Sequence, residues 1–133
     1  MTTPITLQLA KLLKAKGYDK KCYKYFHSNF GEEYEYTLKG SDGELCTNWN
    51  IEKDYPQDFI SAPTIATVVM WLDEKHGIWI SSEPFIKNDN SVVNIYKIFK
   101  EGIIDTISRG SLGYDSPTEA YLAAIEYTLK NLI

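Results

Sequence analysis

Three helix-forming segments, one at each end of the chain and one at its middle, enclose two strand-rich stretches, and this order limits the fold more than any other feature. Strands that follow one another with no helix between them must pair antiparallel, because a parallel pair needs a long crossover. The last segment is the most sharply written. Ser116-Pro117-Thr118-Glu119 is a capping box, with a hydroxyl and a carboxylate placed to satisfy free amides at a helix start, and Pro117 suits a first helical position. Ala120, Tyr121, Ala124, Ile125, Thr128 and Leu132 then fall on one stripe, whose small alanines allow close approach to a sheet. The first segment runs from about Pro4 to Lys16, with Thr3 as cap and Gly17 as stop. The middle one runs from about Pro63 to Lys75. Ile65, Val68, Val69, Leu72 and His76 share the middle helix's inner stripe; Met70 and Glu74 lie opposite, and Trp71 at the edge.

Between the helices, alternation predicts strands at Cys22–Phe26, Glu33–Leu38 and Glu44–Asn48, separated by the turns Ser28-Asn29-Phe30-Gly31 and Gly40-Ser41-Asp42-Gly43. Residues 49–62 show no period and read as an aromatic loop, functional or self-packed and not a flexible linker, carrying Trp49, Tyr55, Pro56 and Phe59. Ile78–Glu83, Val92–Lys100 and Ile103–Ser108 predict a meander turned at Asn88-Asp89-Asn90 and Glu101-Gly102. The resulting order, α-β-β-β-α-β-β-β-α, is that of an α+β fold: an antiparallel sheet, hairpin plus meander, packed by three helices. At 133 residues the chain is expected to form a single domain over residues 1–133.

Charge is unevenly spread. Residues 1–30 hold six lysines against Asp19 alone, whereas residues 31–58 hold eight carboxylates against Lys39 and Lys53. The N-terminus lacks the order of a secretory signal and no apolar run is long enough to span a bilayer, so the expectation is a cytoplasmic protein with Cys22 and Cys46 as free thiols and no membrane partner.

No motif specifies a reaction. A nucleophilic pair would have to come from Cys22 or Cys46 with His27 or His76, and neither cysteine lies at a helix N-terminus, where its pKa would fall. This Cys–His hydrolase reading is the third in rank. Zinc-type spacing is absent beyond Cys22-x4-His27, so neither metal nor cofactor is expected. Glu33 and Glu35 share a strand face without a specified partner acid. Arg109-Gly110-Ser111-Leu112-Gly113 precedes a helix but lacks the lysine of a phosphate loop, and Asp115 and Glu119 oppose an anion there.

Two binding readings remain. Tyr23, Tyr25, Tyr34 and Tyr36, with Lys20, Lys21 and Lys24 nearby, are the elements of a stacking surface for single-stranded nucleic acid, although no known nucleic-acid motif accompanies them. The alternative is a protein-binding surface in which Trp49, Tyr55, Phe59 and Met70 are the candidate contacts, with another protein or a second copy of the chain as partner. We expect the second: a non-catalytic binding or accessory protein and not an enzyme.

Ile60-Ser-Ala-Pro-Thr-Ile-Ala, Trp71-Leu72 and Glu74-Lys-His-Gly-Ile78 resemble a segment of small uncharacterised proteins encoded by prophages and mobile elements of gut anaerobic bacteria. Ser116-Pro-Thr-Glu-Ala-Tyr121 is similar to the way those proteins end, and Leu9-Ala10, Leu13-Lys14 and Lys16-Gly17 to their first helix, while residues 78–108 diverge. The resemblance implies an intracellular accessory protein of phage or mobile-element origin and brings no catalytic residues with it.

Overall fold

The computed structural model describes residues 3–28, 36–40, 46–51, 59–102, 108–109 and 113–133. The elements are α1 (Leu7–Ala15), β1 (Tyr25–His27), β2 (Thr37–Lys39), a 3-10 turn (Trp49–Ile51), β3 (Phe59–Ser61), α2 (Ile65–His76), β4 (Ile78–Ile86), β5 (Val92–Lys100), β6 (Ser108–Arg109) and α3 (Pro117–Asn131). Their order is the expected α-β-β-β-α-β-β-β-α of an α+β fold, with the strands in two antiparallel sheets, β2-β1-β3 and β4-β5-β6. The chain forms two compact units, Thr2–Thr64 and Ile65–Ile133.

In the first unit both prolines read as helix starters turn out to be extended. Pro4 bridges Thr64, and the Ile5 N–H donates to the Pro63 carbonyl at 3.0 Å. A fixed φ suits an edge of pairing chain as well as a first helical turn. Helix α1 therefore starts later than expected, with Thr6 and not Thr3 as cap: the Thr6 hydroxyl accepts from the Leu9 N–H at 3.3 Å. Leu9, Ala10 and Leu13 are its buried face, and α1 packs on β3.

The third strand also differs from expectation. Of residues 44–48, the described ones, 46–48, supply a bridge between Cys22 and Thr47, and the partner that completes the sheet is Phe59–Ser61, in the stretch read as a loop. In that register Phe26 opposes Ile60, and both are buried. Tyr25 and His27 point to the other face. The turns expected at 28–31 and 40–43 fall largely outside the described residues.

In the second unit, α2 starts at Ile65, just after the extended Thr64, and buries Ile65, Val68, Val69, Trp71 and Leu72. Trp71, expected at the stripe's edge, is wholly inside. The capping box of α3 is present: the Glu119 N–H donates to the Ser116 hydroxyl at 3.2 Å, and the Glu119 carboxylate reaches back to the Asp115 N–H at 3.0 Å. Ala120, Ala124, Ile125, Thr128 and Leu129 are buried, so Leu129 takes the place expected for Leu132, while Tyr121 is half-buried.

Strands β4 and β5 pair over nine positions, a ribbon about 30 Å long. Helices α2 and α3 cover only part of one face, where Ile78, Ile80, Tyr96 and Ile98 are buried. Burying each of these isoleucines contributes roughly 1.5–3 kcal/mol. Beyond Ser82 the ribbon overhangs its helices, and Pro84, Phe85, Ile86 and Val92 are exposed. Bonds from the Glu101 N–H to Gly77 and from the Lys87 N–H to Ser91, both 2.8 Å, set the phase of the ladder. Odd-numbered residues of β4 face β5, and even-numbered ones face the open side of this terminal strand. Pro84, with no N–H, falls on that open side.

Candidate binding surfaces

The first unit gathers four rings on the outer face of its small sheet. Tyr25 stacks on Trp49 with centroids 4.0 Å apart, Phe59 lies 5.7 Å from Tyr25 and 5.8 Å from Trp49, and His27 lies 4.7 Å from Phe59. Backbone polar groups hold the tryptophan there. Its indole N–H donates to the Cys22 carbonyl at 2.9 Å. Next to it, the Asn50 side chain donates to the Tyr18 carbonyl at 3.1 Å and accepts from the Ser61 N–H at 2.8 Å, tying the 3-10 turn to β3. The Lys14 ammonium donates to the Phe59 carbonyl at 2.9 Å, and burial lowers its pKa. Each ring is only half-buried, but the rings spend much of their area on one another.

Two of the expected protein-contact residues, Trp49 and Phe59, are thus brought together, and their partner in the cluster is Tyr25, assigned from sequence to a different surface. Tyr55 lies outside the described residues. Met70 is in the second unit, 57% exposed on the outer side of α2.

Of the expected stacking tyrosines, Tyr25 already has one ring face on Trp49, and Tyr34 lies outside the described residues. Tyr23 is exposed. Tyr36 is half-buried, with the Lys11 ammonium 5.2 Å from its ring centre. Lys20 and Lys21 are exposed and Lys24 half-buried. Phe26 and Ile60 are buried on the face opposite Tyr25, and Ser61, the cross-strand partner of Tyr25, is buried as well.

The Cys22 thiol is not activated as a nucleophile. Both cysteines are free thiols. The Cys22 thiol donates to the Lys24 carbonyl at 3.1 Å, and burial pushes its pKa up. A neutral, buried thiol is a poor nucleophile. The imidazole of His27 stands against Phe59, and that of His76 lies edge-on to Trp71 at 4.9 Å with its pKa lowered by burial and by Lys75. Among the described residues no three His, Cys, Asp or Glu side chains converge as metal ligands. Also among them, no helix is long and apolar enough to cross a membrane.

The second unit presents a surface that the sequence reading passed over. On the side of the β4–β5 ribbon away from α2 and α3, the cross-strand pairs are Trp79–Phe99, Ser81–Lys97, Glu83–Ile95 and Phe85–Val93. Trp79 is 47% exposed, Phe85 52% and Phe99 36%. At the centre the Lys97 ammonium and the Glu83 carboxylate form an ion pair at 2.6 Å. An open depression of about 420 Å³ lined by Phe85, Lys87, Asn88 and Asp89 lies at the turn end. An antiparallel sheet with one face in water normally alternates apolar with polar residues. Here Ile78-Trp79-Ile80 and Ile98-Phe99 are apolar on both faces, and that departure was visible in the sequence.

No protein family, no curated protein and no solved structure matches the chain.

Proposed function

We propose that this is a non-catalytic, cytoplasmic accessory protein of phage or mobile-element origin that acts by binding another protein through the outer face of the β4–β5 ribbon. The observation that carries the reading is the trio of exposed rings, Trp79, Phe85 and Phe99, on a face that the unit's own helices leave bare. Large rings with few torsions, grouped around a central ion pair, have the composition of an interface core. Trp49 and Phe59 act instead as the packing of the small sheet, which their mutual contacts support. Binding of single-stranded nucleic acid has less support, because Tyr25 is stacked on Trp49.

The test is affinity capture with the full chain and with Trp79→Ser and Phe85→Ser, using a lysate of the organism that encodes it. A discrete protein retained by the wild type and lost with both variants, whose circular dichroism is unchanged, is the expected result. Equal retention by all three chains rejects this surface as the binding face.

A further inference from the structure

Resting on that reading, we infer that the partner of the ribbon's outer face is a second copy of the same chain, stacked face to face about a two-fold axis. A two-fold interface requires a patch complementary to itself. The ribbon has this pattern along its length: an apolar pair, Trp79–Phe99, at one end; a second, Phe85–Val93, at the other; and the oppositely charged Lys97 and Glu83 between them. An axis crossing the strands at Ser82 sets Trp79 over the partner's Phe85 and Phe99 over the partner's Val93. The same rotation brings the partner's Glu83 above Ser81, the cross-strand neighbour of Lys97. Packed sheets lie about 10 Å apart, a gap that a lysine and a glutamate side chain span together. Each Lys97 then has two carboxylates and each Glu83 two ammonium groups.

A chain of different composition would have to reproduce this sequence of ring, charge pair and ring in reverse, whereas a second copy supplies it by symmetry. Addition of a strand to the β4 edge is the competing geometry. There Pro84 withholds an outward N–H in the middle of the half that overhangs the helices. The three exposed rings present on the order of 300 Å². That is well short of the roughly 800 Å² per partner of a tight complex, so the dimer is weak and forms in the upper micromolar range.

The experiment is sedimentation equilibrium of the full chain from about 10 µM to about 1 mM, the span over which a weak interface fills. The mass is expected to rise from that of one 15.2 kDa chain towards twice that value. Trp79→Ser and Phe85→Ser, both at exposed positions, shift the midpoint at least tenfold to higher concentration. Glu83→Lys and Lys97→Glu each do the same alone, and an equimolar mixture of those two variants recovers the dimer, because the opposite charges then meet only between chains. A wild type that keeps the single-chain mass up to 1 mM overturns the inference. So does a dimer indifferent to Trp79→Ser and Phe85→Ser, which points to the β4 edge or another face, and so does a charge-variant mixture that stays monomeric. If the wild type is monomeric while lysate capture is still lost with Trp79→Ser, self-pairing alone falls. If capture is also unchanged, the binding face falls with it.

Discussion

Gly113 offers a sharp test of how the second unit is packed. Its φ is +76°, and a Cβ built there meets Val93 side-chain carbons at 2.6 and 2.8 Å. Two costs follow for Gly113→Ala. The left-handed backbone disfavours an L side chain by roughly 1–2 kcal/mol. The overlap with a β-branched valine, whose χ1 has little freedom, adds about 1–3 kcal/mol of overpacking. The strand pairing of the next residue stands in the way of relief by backbone movement: the Asn94 N–H donates to the Tyr114 carbonyl at 2.9 Å and the Tyr114 N–H to the Asn94 carbonyl at 2.7 Å. Gly102 is the control, with φ +84° and nothing within 4 Å of its virtual Cβ, so Gly102→Ala carries the backbone cost alone. Urea unfolding should place Gly113→Ala about 2–5 kcal/mol below wild type and Gly102→Ala about 1–2 below. Adding Val93→Ala to Gly113→Ala should cost less than Val93→Ala costs in the wild type, a positive coupling of about 1 kcal/mol or more. Equal losses at the two glycines, or additive behaviour in the cycle, would falsify the contact.

Other perturbations read separate features. Ser116→Ala removes the acceptor of the Glu119 N–H and should lower stability by about 1 kcal/mol, with Ser116→Gly costing only a few tenths; the order of the two urea midpoints checks the cap. Ile98→Ala, at a wholly buried position of β5, should cost about 2–4 kcal/mol, and a loss below 1 would mean the sheet is not covered as described. Met70→Glu on the exposed side of α2 should stay within about 0.5 kcal/mol of wild type in a thermal melt. Burial and Lys75 hold the His76 imidazole below its ordinary value of 6.5. The unfolded chain therefore takes up a proton first on acidification, and stability falls as pH drops below about 6.5. His76→Gln should flatten that part of the urea midpoint profile, and an unaltered slope refutes the assignment.

What could be read from the residues was local and redundant. Ser116, Pro117 and Glu119 name the start of α3 three times over, and Gly77 follows the last residue of α2 as a stop should. The long strands β4 and β5 carry enough β-branched and aromatic residues to declare themselves. Where one residue type serves two conformations, the reading failed: Pro4 and Pro63 fit a helix start and an extended bridge equally, and only the Pro4–Thr64 pairing decides. Three-residue strands such as Phe59–Ser61 are too short to show a repeated alternation, so their partner is chosen by contacts made elsewhere in the chain. The binding surfaces follow the same division. Trp49 and Phe59 were recognisable as aromatics of one segment, but their attachment to Tyr25 depends on the Cys22 carbonyl and the Asn50 amide, which lie far apart in the chain. The Trp79, Phe85 and Phe99 face was within reach by simple alternation, once both sides of each strand are followed.

The ribbon is complete in sequence before α3 begins. During synthesis Ile78, Ile80, Tyr96 and Ile98 therefore leave the ribosome after α2 but ahead of α3, the second of the two helices that shield them, flanked by the bare overhang from Pro84 to Val92. Such an interval favours cross-β recruitment of one nascent chain by another. The missing amide at Pro84 interrupts the outward hydrogen-bond row of β4 in its overhanging half, where such a template would otherwise be continuous.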